Sequence, residues 1–165
     1  FLPAFEATLL REGGYRLTNV TGDRGKQTYA GISRRWWPNW HGWQAIDAGS
    51  EPDAKHVRAF YKLNFWDALS LEELTNQRVA ESIYDFGVNA DPKIADKLAQ
   101  IVVGVTPDGR FGPVTLQALN AVDPAIFIPA FTLAKIARYR DIVSKDRTQL
   151  KFLLGWLNRA LQGIA

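Results

Sequence analysis

Glu12-Gly13-Gly14-Tyr15, followed by Asp23 and by Thr28-Tyr29-Ala30-Gly31-Ile32, puts one carboxyl at a helix end and a second across a short glycine-rich excursion. The residues from Pro3 to Glu12 read as a helix, with proline in the first turn, Phe5 and Leu9 at helical spacing, and Gly13-Gly14 as the stop. Glu12 then sits at the negative pole of the helix, where the terminal carbonyls favour a protonated carboxyl over a carboxylate, as a general acid requires. Two acids facing each other across a cleft suit glycosidic cleavage, in which one protonates the leaving oxygen and the other stabilises the cation or positions water. The alternative for Glu12 is a solvated side chain in a last helical turn. For Asp23 it is a structural turn, since Thr21-Gly22-Asp23-Arg24-Gly25 is a good turn sequence in its own right.

Outward from this stretch the chain reads as helical nearly everywhere except residues 13 to 32. There Leu17 to Val20 and Gln27 to Ile32 predict a small hairpin or ribbon forming one wall of an active-site cleft. Ser33 is placed to cap a short helix ended by Pro38. Ser50-Glu51-Pro52-Asp53 opens a helix to about Asn64, and Ser70-Leu71-Glu72-Glu73 fits a capping box for another. A helix over 77 to 89 carries Ser82, Asp85 and Asn89 on one polar stripe, either to meet sugar hydroxyls or to satisfy neighbouring backbone inside the core. Asp91-Pro92, Gly112-Pro113 and Asp123-Pro124 each start a further helix. Trp36, Trp37, Trp40 and Trp43 lie within eight residues, divided between core packing and stacking on sugar faces, while Trp66 and Trp156 read as core. The fold class expected is mainly α, a lysozyme-like helical fold with that small β-ribbon.

A resemblance then becomes visible. The blocks Glu12 to Tyr15, Asp23 to Thr28 and Tyr29 to Ser33 resemble the signature of glycoside hydrolase family 108, lysozyme-like N-acetylmuramidases acting on peptidoglycan. Phe65-Trp66-Asp67, Tyr84 to Ala90, Asp108 to Leu116 and Gly155 to Arg159 resemble later blocks of that family in the same order. The resemblance implies that Glu12 is the catalytic acid, that Asp23 and Thr28 orient the attacking water, and that the bond cut is the β-1,4 link between N-acetylmuramic acid and N-acetylglucosamine. Tyr15, Tyr29, Asp85 and Asn89 are the candidate substrate-binding residues. Thr106 to Pro113 resembles the turn-helix core of small peptidoglycan-binding modules, and it is equally a tight Pro-Asp-Gly turn feeding a capped helix. The expected organisation is a catalytic region over 1–90 with a helical peptidoglycan-binding-like region over 91–165 packed on it. The rival readings are a lytic transglycosylase, and a non-catalytic wall-binding or secretion-associated module.

Composition narrows the field. The chain has 165 residues, 47% hydrophobic and 22% charged, enough for a compact core and without a disordered signature. It has no cysteine, which excludes disulfides, thiolate nucleophiles and thiolate-bound metals, and only two histidines, His41 and His56, so neither metal nor cofactor is expected. No apolar run is long enough for stable membrane insertion. The sequence shows no methionine and no leader at Phe1, and the chain as read is expected to start after its true N-terminus; action in the periplasm or outside the cell is expected, with export by a removed leader, a holin or a dedicated secretion system. Endolysin, antibacterial effector and wall-remodelling enzyme would share these motifs. The net charge is +3, with seven basic residues between Lys135 and Arg159 against Asp141 and Asp146. Such a stretch is either a solvated face or an attractor of anionic polymer; peptidoglycan is the partner expected, and nucleic acid is not, because no recognition motif accompanies it. Nothing indicates oligomerisation, and a monomer is expected.

Overall fold

The computed structural model describes residues 1–18 and 27–163, and its chain divides by contacts into two units, Phe1–Ala68 and Leu69–Ala165. The first unit runs α1 (Leu2–Arg11), β1 (Leu17–Thr18), β2 (Thr28–Tyr29), β3 (Ile32–Ser33), α2 (Gly42–Asp47) and α3 (Ala54–Tyr61). The second is helical: α4 (Gln77–Ala90), α5 (Pro92–Val102), α6 (Pro113–Ala121), α7 (Pro124–Lys145) and α8 (Leu150–Gln162). The expected class, mainly α with a small sheet, is what forms.

In the first unit α1 turns Ala4, Phe5 and Thr8 inward. Phe5 meets Phe1 and Tyr61, each at a centroid distance of 5.7 Å, and Phe1 meets Trp66 edge-on. Helix α3 is capped by Asp53, whose carboxylate accepts from the Lys55 amide at 2.8 Å. It ends at Tyr61, and a single π turn over Lys62–Trp66 carries the chain on and buries Phe65 and Trp66. Such a turn rotates the side chains that follow it relative to a continuous α-helix. The ribbon has three antiparallel strands in the order β1-β2-β3, because the two-residue turn Ala30-Gly31 folds Ile32 and Ser33 back onto β2. Asn19 and Val20 of the expected first strand lie outside the described residues. Ser33 is thereby drawn into the sheet rather than capping a helix; its carbonyl accepts from Trp36 and Trp37 in an open turn. Arg34 fixes the end of β3 to α2 through two bonds to Asp47, at 2.7 and 2.6 Å, and a third to Gln27.

In the second unit the three Pro-led helices start where the sequence predicts, with Asp91 and Asp123 capping two of them. The capping box at Ser70 does not form. Ser70 takes a left-handed conformation (φ 48°) that an N-cap residue does not use, and only a 3₁₀ turn over Leu71–Glu73 follows. The cap moves to Asn76, which accepts from the Val79 amide at the start of α4. Helix α4 packs on α5 and α7, and Phe86, Phe127, Phe131 and Tyr139 fill the centre. Lys135, counted with the basic stretch, is not on a solvated face: it is 3% exposed, with its ammonium 4.5 Å from the Phe131 ring. The Asp108 turn is held from inside by Gln100, which donates to Asp108, to the Arg110 carbonyl and to Thr115, and accepts from the Gly109 amide. Among the described residues no single helix is long and apolar enough to cross a membrane.

Candidate functional site: a carboxyl seated on a β-turn

Glu12 is the C-cap of α1, its amide bonded to the Thr8 carbonyl at 2.9 Å, and Gly13 in the left-handed region (φ 86°) turns the chain toward β1. Its side chain is exposed and lies against the β2–β3 turn. A Cβ built on Gly31 would overlap the Tyr61 hydroxyl and stand 2.8 Å from Cγ of Glu12. Gly31 also has φ 79°, so both the backbone and the space demand glycine there. Beneath the turn the buried Tyr61 hydroxyl donates to the Ala30 carbonyl at 2.9 Å, fixing a residue that itself has a positive φ. The carboxyl therefore stands over a rigid notch made by one glycine and one tyrosine from α3.

Thr28 is half-buried in the central strand, paired with Thr18 on one side and Ser33 on the other. Strand alternation sends Tyr29 to the opposite face, where it is buried and stacked on Trp40 at 6.0 Å. Burial pushes the Tyr29 phenol above its ordinary range, with smaller pushes from Glu51 and Tyr15. Tyr15 is 41% exposed. Glu12, Thr28, Tyr15 and Tyr29 are thus all on the first unit, about one helix end and one small sheet. Asp23 lies outside the described residues. Asp85 and Asn89 are on α4 in the second unit, where Asp85 accepts from Arg159 at 3.1 Å and the Asn89 amide donates to the Tyr139 hydroxyl at 3.4 Å.

The tryptophan cluster divides. Trp43 is buried, its indole donating to the Trp37 carbonyl at 2.8 Å. Trp36 and Trp37 are exposed and, with Trp40, Phe60 and the edge-on pair His41 and His56, line a cavity of about 460 Å³. Trp66 is core as expected, while Trp156 is half-buried and stacked on Tyr139. Sequence reasoning passed over Tyr61 and Gln100; each follows an apolar helical stripe that gives no sign of which polar group it will hold. Among the described residues no cluster of three metal-ligating side chains occurs.

The first unit thus presents an exposed helix-end carboxyl over a β-turn in a mainly helical fold. Residues 5–90 match the family described as Glycosyl hydrolase 108, more than half of the chain, and the chain belongs to that family. Residues 92–161 match a second family, described as Predicted Peptidoglycan domain. Among solved structures, that of Brucella abortus SagA superposes with a TM-score of 0.70 at 24% identity, covering 98% of this chain and 90% of that one, a likeness of fold. No curated protein matches. The family and the second match make this a peptidoglycan-directed enzyme of the glycoside hydrolase type that acts outside the cytoplasm. The family boundary at residue 90 and the contact boundary at residue 68 enclose the stretch 69–90, the Leu71–Glu73 turn and α4, which belongs to the first match by sequence, while α4 packs on α5 and α7.

Proposed function

We propose that the protein is an N-acetylmuramidase that hydrolyses the β-1,4 bond between N-acetylmuramic acid and N-acetylglucosamine, with Glu12 as general acid. The observation that carries this reading is the seat of Glu12: a solvent-facing carboxyl at a helix C-terminus, its stem fitted into the Gly31 notch. A carboxyl held this way approaches a glycosidic oxygen from a fixed direction, and positioned proton transfer of this kind contributes about 10²–10⁴-fold. Thr28 on β2 and Asp23, five residues before it in the sequence, orient the attacking water. Tyr15 and the Trp36–Trp37 cavity stack on sugar faces, Tyr29 supports the wall beneath, and Asp85 and Asn89, on the second unit, bind polar groups of the substrate. Residues 1–90 form the catalytic region and 91–165 the wall-binding region of one monomeric enzyme.

Digestion of purified peptidoglycan, with mass spectrometry of the soluble fragments, tests the reading. Reducing-end muramic acid is the expected product. Anhydro-muramic ends would reassign the chemistry to a lytic transglycosylase, in which the muramoyl 6-hydroxyl replaces water. Absence of fragments from folded protein, over several wall chemotypes, would leave a wall-binding module.

A further inference from the structure

The second unit carries a groove of about 560 Å³ between α5 and α7 that no part of the proposed chemistry uses. Its floor is apolar, with Leu98, Ile101 and Ile142, and Ile101 is 58% exposed. Alanines at 134 and 137 leave room on the α7 side for small groups such as methyls. Three cations stand around it: Lys97 on α5, and Arg138 and Lys145 on α7. None of the three makes an ion pair among the described residues. The Arg138 Nε is buried and has no hydrogen-bond partner there. The one acid on the lining, Asp141, is already engaged by Arg140 through two bonds at 2.9 and 2.7 Å. Arg138 lines the groove, and a guanidinium suits a carboxylate in bidentate geometry.

We propose that this groove docks an acidic peptide with small apolar side chains; resting on the function proposed above, that peptide is the stem peptide of peptidoglycan. The stem carries free carboxylates separated by alanine methyls, which matches three unpaired cations around an apolar, alanine-walled channel. A glycan strand stripped of peptide offers neither feature. The wall would then be gripped by its peptide at the second unit and cut in its sugar chain at the first.

Titration of the ¹⁵N-labelled full chain with the soluble, net negative N-acetylated pentapeptide Ac-L-Ala-γ-D-Glu-meso-diaminopimelate-D-Ala-D-Ala reads this directly. Saturable amide shifts confined to α5 and α7 are expected. Affinity should fall about tenfold when the peptide carboxylates are capped as amides, and about tenfold in Arg138→Gln. Because Arg138 is partly buried, the exposed pair Lys97→Gln/Lys145→Gln provides a second variant, expected to weaken binding several-fold and to flatten its salt dependence. No saturation, shifts elsewhere, equal binding of the capped peptide, unchanged affinity in the folded variants, or the same α5–α7 shifts from chitotetraose would each overturn the proposal. Digestion of peptidoglycan by the same protein is scored separately. Cutting without peptide binding removes the docking site and leaves the muramidase, whereas docking without cutting does the reverse.

Discussion

Gly31 shows how one residue without a side chain can set a site. A methyl group there meets the Glu12 stem and the Tyr61 hydroxyl at once, on a backbone with φ 79°. Gly31→Ala should therefore cost about 1–3 kcal/mol, read as a lowered melting temperature, and should reduce wall digestion further than that loss explains. Tyr61→Phe is the milder probe. It removes the hydroxyl that donates to the Ala30 carbonyl and keeps the ring, with an expected cost of about 1 kcal/mol in the same melting assay. Neither residue looks functional from sequence, since glycine in Tyr-Ala-Gly-Ile reads as a turn and Tyr61 as part of an apolar helix face. The place of Glu12 at the end of α1 was legible, because a helix stop is written locally, in the two glycines that follow it.

At the scale of elements, the helices led by Asp-Pro or Gly-Pro start where the sequence places them, because a cap and a fixed proline φ act within three residues. Ser70 carried the same kind of local signal and failed, since tertiary packing holds it at φ 48° with Leu71 buried. The third strand was likewise out of reach: two residues, Ile32 and Ser33, become a strand only because β2 is there to pair with them. The Asp108 turn was readable as a turn, but not its support. Gln100 lies on α5 and satisfies four groups of the following segment. Gln100→Leu strands the Gly109 amide and the Thr115 hydroxyl and should cost about 2–4 kcal/mol, measurable as a lower urea midpoint with an unchanged slope.

Across the whole molecule, stability should carry a pH dependence traceable to Asp96. This side chain is 3% exposed, has a carboxyl oxygen without a hydrogen-bond partner among the described residues, and is pushed up to about 7, chiefly by burial and secondarily by Asp108. A carboxyl whose folded value is raised holds its proton more tightly in the folded state, so its contribution is fully present below about pH 4 and is lost as pH rises through 7. Thermal unfolding should show a decline on the order of 2–4 kcal/mol across that window, and Asp96→Asn should remove most of it. The family matches assign the two stretches of this chain to sugar cleavage and to the wall itself, and the claim on which the account turns is that Glu12 supplies the proton. The most direct measurement is the rate of muramic acid reducing-end release from peptidoglycan by wild type and by Glu12→Gln, each with a melting curve. The account predicts a fall of about 10²–10⁴-fold with the melting temperature unchanged; release at near the wild-type rate by a folded Glu12→Gln protein would contradict it.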